Sequence, residues 1–226
     1  MYNTSKKLIL IFFFLLLDSI LIADQESWPE PHVITSINYK YYFKMYPDSI
    51  DSYDDNKGYG IAFKRTHQLE DSLLWKVSGW YAFSVFISND GNYLVRLGNW
   101  PDKPRLKIDL AIAFYNRGEL IKSYSTSDII KDSTKIRYSV SHYSYYNRYE
   151  FDAWYNKFKL VSVDDIIYTF DIKTGKIISQ EKNNYFKRFI NKHGFHHLIY
   201  FFISIPLILL FIYQFVKWII LKSYKN

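Results

Sequence analysis

His142 lies in the run Ser-Val-Ser-His-Tyr-Ser-Tyr-Tyr that begins at Ser139, with Ser139, Ser141 and Ser144 close by. A serine beside an imidazole is the raw material of acyl transfer, but the hydroxyl must reach the ring and a carboxylate must orient it. On a strand, Ser141 and His142 point to opposite faces, and no partner carboxylate is adjacent, so the run predicts a hydrogen-bonded strand histidine. Asp164-Asp165 reads as a turn before it reads as an acid/base pair, because glycosidase chemistry needs two carboxylates at a set separation. The loop Pro47–Gly60 carries Asp48, Asp51, Asp54 and Asp55. These acidic residues miss the alternation of oxygen ligands around a Gly turn that a calcium loop requires, so a solvated turn is expected. His193, His196 and His197 have no Asp or Glu beside them and carry no metal assignment. The chain has no cysteine, which excludes disulfides, thiol catalysis and Cys-ligated zinc. No G-x-S-x-G elbow, phosphate loop, H-E-x-x-H or dinucleotide fingerprint is present. No cofactor is expected.

Aromatic residues make up 20% of the chain, enough to make them the remaining chemical clue. Trp75, Trp80, Trp100 and Trp154, with Tyr143, Tyr145 and Tyr146, are able to stack on sugar rings or anchor a protein. Aromatics on strands usually form core or cross-strand pairs. Trp100 departs from that rule, since it sits in a Gly-Asn-Trp-Pro turn. The binding candidates are Trp100, Tyr143 and Trp154.

The elements that must position these residues are short strands. Ser84–Trp100 contains two extended runs joined through Asn89-Asp90-Gly91-Asn92, a strong hairpin signal because Gly tolerates positive φ. Further strands are expected at Ile37–Tyr46, Tyr59–Arg65, Leu73–Val77, Ile108–Tyr115, Glu119–Tyr124, Ile136–Tyr143, Phe158–Val163, Ile166–Asp171 and Lys176–Ser179. Asp24–His32 reads as an extended leader, and Ser127–Lys131 as one helical turn capped by Ser127 or Asp128. Short strands with turns every 8–12 residues indicate an all-β domain of antiparallel hairpins. The segment Ile112–Ser123 repeats as Thr169–Gln180 when Gly118 is placed on Gly175. Tyr93-Leu94-Val95 and Lys159-Leu160-Val161 precede the two copies, and an insertion near Trp100–Lys107 lengthens the first.

Phe86–Val95 (FISNDGNYLV) resembles the strand turn of WD-type β-propeller blades, and Tyr168–Ile178 (YTFDIKTGKII) is similar to the strand pair of quinoprotein-type blades. The resemblance covers about half of the chain and implies four-stranded antiparallel units. The Trp-Asp dipeptide is missing, and Asn89 stands where proline is usual. At 40–50 residues per unit there is room for about three units, too few for a closed propeller. A partial propeller, a sandwich or barrel of the same hairpins, and closure by oligomerisation are the remaining architectures. No quinone site comes with the resemblance.

The net charge of +7 is not a nucleic-acid signature. Residues 24–180 carry 20 Lys+Arg and 20 Asp+Glu, and the excess flanks two apolar segments. Lys6 and Lys7 precede the apolar run Leu8–Leu17, and the pattern through Ala23 is that of a secretory signal. Leu198–Leu221 is long and apolar enough for a C-terminal transmembrane helix. The expected organisation is therefore a signal peptide at 1–23, an extracytoplasmic β domain at 24–180, a basic juxtamembrane segment at 181–197, a transmembrane helix at 198–221 and a tail at 222–226. Lys187, Arg188, Lys192, Lys217 and Trp218 are placed at the membrane interface. The functional expectation is a single-pass, envelope-facing binding or scaffolding module without catalysis. Its partners would be membrane lipid, a protein or glycan and further copies of itself, with no nucleic acid. The alternative is an envelope glycan hydrolase that uses carboxylates beside exposed aromatics.

Overall fold

The computed structural model describes residues 27–49, 57–66, 70–101, 105–139 and 141–183, with five further positions, 206, 210, 213, 214 and 217. Three four-stranded antiparallel meanders follow one another along the chain. The first is β1 (His32–Thr35), β2 (Tyr41–Pro47), β3 (Gly58–Lys64) and β4 (Ser72–Ser78). The second is β5 (Val85–Ile87), β6 (Tyr93–Leu97), β7 (Leu110–Asn116) and β8 (Glu119–Ser125). A short helix, α1 (Thr126–Ile129), and a two-stranded ribbon of β9 (Arg137–Tyr138) and β10 (Tyr143–Ser144) lead to the third. That sheet is β11 (Tyr146–Asp152), β12 (Lys157–Ser162), β13 (Ile166–Asp171) and β14 (Ile177–Lys182). In each sheet, strands adjacent in sequence are adjacent in space, which is the form of a propeller blade.

Strand alternation decides how the three sheets stack. On one face of the second sheet, Val85, Ile87, Leu94, Ala113 and Tyr115 pack with Phe43, Met45, Ala62, Trp75 and Val77 of the first. Its other face presents Val95, Leu97, Ile112 and Phe114 to Phe158, Leu160, Tyr168 and Phe170 of the third. Strand β7 is consequently buried at five consecutive residues, Ala111 to Tyr115, as expected of a strand covered on both sides. The contacts between sheets also repeat. Gly118, in the β7–β8 turn, lies over the Lys76 carbonyl of β4, and Gly175, before β14, lies over Lys122 of β8. The Trp75 indole N–H donates to the Gly91 carbonyl at 2.8 Å, and the Tyr124 hydroxyl donates to the Gly175 carbonyl at 2.9 Å.

A buried serine organises one turn in each sheet. Ser36, Ser88 and Ser162 are fully or almost fully buried. Each hydroxyl donates to the side chain two residues on, Asn38, Asp90 or Asp164. Each also accepts the backbone N–H that opens the next strand, from Tyr41, Tyr93 or Ile166. The Ser-x-Asn/Asp pattern supplies the turn hydrogen bonds that the backbone would otherwise lack.

The Ser84–Trp100 hairpin forms as expected, with Val85, Phe86 and Ile87 paired to Arg96, Val95 and Leu94. The copies seen in sequence are the third and fourth strands of the second and third sheets, and the insertion is the long connection between β6 and β7. Three local expectations are revised. Strands β1 and β11 are additional to those read from sequence. The single strand expected over Ile136–Tyr143 is divided by the turn between β9 and β10. The helical turn begins one residue earlier than expected, with Ser125 as cap and Asp128 closing a capping box.

Among the described residues, no helix is long and apolar enough to cross a membrane. The expected signal peptide and nearly all of the 198–221 segment lie outside the described residues, as do Lys187, Arg188, Lys192 and Trp218. Pro206, Leu210, Tyr213, Gln214 and Lys217 are helical.

Candidate functional site

The β6–β7 insertion runs from Gly98 to Asp109 and meets the β9–β10 ribbon. The Tyr143 N–H donates to the Pro101 carbonyl at 3.1 Å. The Tyr145 hydroxyl donates to the Gly98 and Ala111 carbonyls at 3.0 and 2.9 Å. A side chain at Gly98 would overlap the Leu110 carbonyl, so glycine lets the two backbones cross there. Thus clamped, the insertion lays the Trp100 ring on His142, with centroids 3.8 Å apart and planes inclined by 21°.

His142 is not on a strand. It ends the 139–142 turn, where its Nδ1 lies 2.7 Å from Ser139 Oγ and 3.2 Å from Ser141 Oγ. Both hydroxyls meet the same ring nitrogen because the chain turns there, so the opposite-face expectation does not apply. Beneath this pair, the Tyr143 hydroxyl donates to Asp109 Oδ2 at 2.7 Å and lies 3.1 Å from Thr126 Oγ1. Burial, reinforced by the Asp109 carboxylate, pushes the Tyr143 phenol well above its ordinary range. Asp109 is tied further by the Arg105 backbone N–H at 2.8 Å and the Arg105 guanidinium at 3.4 Å.

The candidate residues therefore divide by role. Trp100 is partly exposed and forms an aromatic plate with His142. Tyr143 is 1% exposed and fastens the insertion, through its N–H to the Pro101 carbonyl and its hydroxyl to Asp109. Trp154 is 67% exposed in the turn between β11 and β12, where its N–H donates to Asp152 Oδ1 at 3.2 Å. It is not part of the Trp100–His142 stack. Asp109 and Thr126 belong to the support, although nothing in the sequence singled them out. Trp75, on β4, is a core residue as the strand rule predicted, and Trp80 is also in the core although it lies in the connection between β4 and β5.

A second concavity, about 740 Å³, opens where the β12–β13 turn meets β14 and the 131–135 segment, and is lined by Lys131, Lys135, Asp165 and Glu181 among others. Its Asp164 accepts the backbone N–H groups of Lys131 at 2.7 Å and Asp132 at 2.9 Å. Asp132 accepts from the Thr134 hydroxyl at 2.6 Å and the Thr134 N–H at 3.0 Å, which holds its carboxyl below the usual range. Both carboxylates are thus occupied by donors of the protein itself. Among the described residues, no group of three or more His, Asp or Glu is placed to hold a metal ion. The three histidines at 193, 196 and 197, the loop aspartates 51, 54 and 55, and His67 lie outside the described residues.

No protein-family model and no curated protein matches the sequence. A search of solved structures finds partial similarities. U3-55K is 9% identical, with a TM-score of 0.38 over 73% of this chain and 42% of its own. The WD40 repeats of RRP9 are 9% identical, with a TM-score of 0.37 over 71% of this chain and 40% of theirs. The periplasmic gluconolactonase PpgL of Pseudomonas aeruginosa is 11% identical, with a TM-score of 0.37 over 70% of this chain and 40% of its own. This chain spans about two fifths of each of these structures. WD40 β-propellers are the kind of protein that the blade resemblance in Phe86–Val95 named.

Proposed function

We propose that the chain is a single-pass membrane protein whose extracytoplasmic three-bladed domain binds a protein partner without catalysis. The observation that carries the binding role is the partly exposed Trp100 ring, stacked on the buried His142. An indole held rigidly against a buried ring offers apolar contact at little cost in side-chain entropy. The polar groups around it are engaged with one another: His142 Nδ1 with two serines, Tyr143 with Asp109. That arrangement suits a contact surface better than a reacting group. The membrane part of the proposal rests on the apolar runs Leu8–Leu17 and Leu198–Leu221 and on the basic residues beside them.

Site-specific photocrosslinking in living cells tests the contact surface. A photoreactive residue at Trp100 is expected to yield one discrete protein adduct, and the same probe at exposed Lys176 none. Equal labelling from both positions, or none from Trp100, contradicts the proposal.

A further inference from the structure

The insertion that seats Trp100 brings further apolar side chains to the same part of the surface. Ile108, near the far end of the insertion, is 76% exposed. Tyr138, paired with Tyr143 across the β9–β10 ribbon, is 63% exposed, and the two rings have centroids 6.3 Å apart. Trp100 lies on His142, the residue before Tyr143. The Tyr143 hydroxyl reaches Asp109, the residue after Ile108. Trp100, Ile108 and Tyr138 are thus each within one contact and one residue of the Tyr143–Asp109 pair. Exposed apolar side chains grouped in this way mark an interaction site.

The charge around them has one sign. Residues 24–180 balance, with 20 Lys+Arg and 20 Asp+Glu. The insertion, 98–109, and the segment 130–145 between α1 and β11 together hold six Lys+Arg and three Asp+Glu. Their net charge is +3 (6 − 3), which leaves −3 (14 − 17) for the remainder of the domain. One of the three acids offers little charge to solvent. Asp109 is 8% exposed and takes both the Tyr143 hydroxyl and the Arg105 guanidinium. Arg105, Lys107 and Arg137, by contrast, are exposed.

We infer that this surface takes an acidic segment of the partner protein. An apolar side chain of that segment seats among Trp100, Ile108 and Tyr138, and its carboxylates lie beside Lys107 and Arg137. This partner chemistry rests on the protein-binding role proposed above and makes it specific. In such interfaces a few apolar anchors carry the affinity, while charges at the rim set the encounter and the choice of partner. Arg137 is suited to that rim, because its guanidinium donates to the neutral side chain of Asn147 and keeps its charge for an incoming anion. A single strand of nucleic acid would be held by stacking on aromatic faces, and the most exposed of the three anchors, Ile108, has none.

The test uses the full-length chain in nanodiscs of neutral lipid and four labelled polyanions: a random copolymer of Glu and Tyr, poly-Glu, heparin and oligothymidylate. Fluorescence anisotropy is expected to show the copolymer binding about tenfold more tightly than poly-Glu, and more tightly than the other two. Lys107→Glu with Arg137→Glu should weaken the copolymer about tenfold. Reversal of two exposed lysines elsewhere, Lys64→Glu with Lys173→Glu, should leave it unchanged. Ile108→Ala should remove most of the advantage of the copolymer over poly-Glu. Lys107→Glu alone, at an exposed position, keeps the test readable if the double variant fails to fold. The inference is overturned by any of four results: no binding of the copolymer, equal binding of poly-Glu, binding unchanged by Lys107→Glu, or tighter binding of heparin or oligothymidylate. If the Trp100 probe still yields its protein adduct in cells, any of these results removes the acidic partner and leaves the protein-binding role standing.

Discussion

Individual side chains here support surfaces more often than they form them. Tyr143 is the sharpest case, because one hydroxyl joins the insertion, α1 and β10 through Asp109 and Thr126. Tyr143→Phe leaves the buried Asp109 without its closest donor and is expected to cost about 1–3 kcal/mol in denaturant unfolding. Trp154→Ala, at an exposed turn, should stay within about 0.5 kcal/mol of the wild type. The pH dependence follows from the same burial. Tyr42 and Tyr168 are pushed up to about 12, chiefly by burial, against an unfolded phenol near pH ~10. The folded state holds these protons more tightly. Their contribution is therefore intact below pH ~10 and is lost as pH rises through about 12. On the acid side, Asp71 is held down first by the Thr66 N–H and then by the Tyr42 hydroxyl, and Asp132 by Thr134. Burial of Asp90 opposes its ionisation, but hydrogen bonds from Ser88 and Asn92 outweigh it. These contributions are present above the ordinary carboxylate range and are lost as pH falls through the lowered folded values. Tyrosinate absorbance followed together with circular dichroism should therefore show late phenol ionisation coinciding with alkaline unfolding. Early, complete ionisation with the fold intact would contradict this. Sequence pointed to Trp100 because a Gly-Asn-Trp-Pro turn is legible locally. Asp109 was not legible, since its partner lies 34 residues away and no local pattern encodes that distance.

Strands and turns were the most legible elements, because alternation and Asn-Asp-Gly chemistry act over a few residues. The exceptions have physical reasons. Strand β11 reads Tyr-Asn-Arg-Tyr-Glu-Phe-Asp, with its outward residues charged, so composition conceals an alternation that the pairing of Phe151 with Phe158 reveals. Strand β1 follows two prolines and has only four residues, too short for periodicity to register. The repeated Ser-x-Asn/Asp turn is visible in sequence only once its role is known. Ser162→Ala removes a buried hydroxyl that both donates and accepts, and about 1–3 kcal/mol of stability should go with it. Glycines separate backbone from packing requirements. Gly175→Ala meets both a positive φ of 65° and Lys122 Cβ at 2.6 Å, whereas Gly79→Ala meets a positive φ of 82° with open space. Gly79→Ala should cost about 1–2 kcal/mol from backbone alone, and Gly175→Ala clearly more. Equal losses would show that Gly175 does not lock one blade onto the next.

The whole molecule depends on its middle sheet. Phe114 is fully buried in the core that the second sheet shares with the third, so Phe114→Ala should cost about 3–5 kcal/mol. Because the second sheet is buried on both faces, the blades should unfold in one cooperative transition, and separate transitions for different probes would contradict that. The number of blades was legible as about three from length and repeat spacing. Which face of each sheet packs inward was not, because that depends on the strand register. The absence of native cysteine also permits a direct measurement of where the domain lies. A single Lys173→Cys, placed in an exposed turn of the third sheet, can be challenged in spheroplasts with a membrane-impermeant maleimide. Labelling before lysis is the expected result for an extracytoplasmic binding domain. Labelling only after lysis would put the domain on the other side of the membrane and contradict the proposed function.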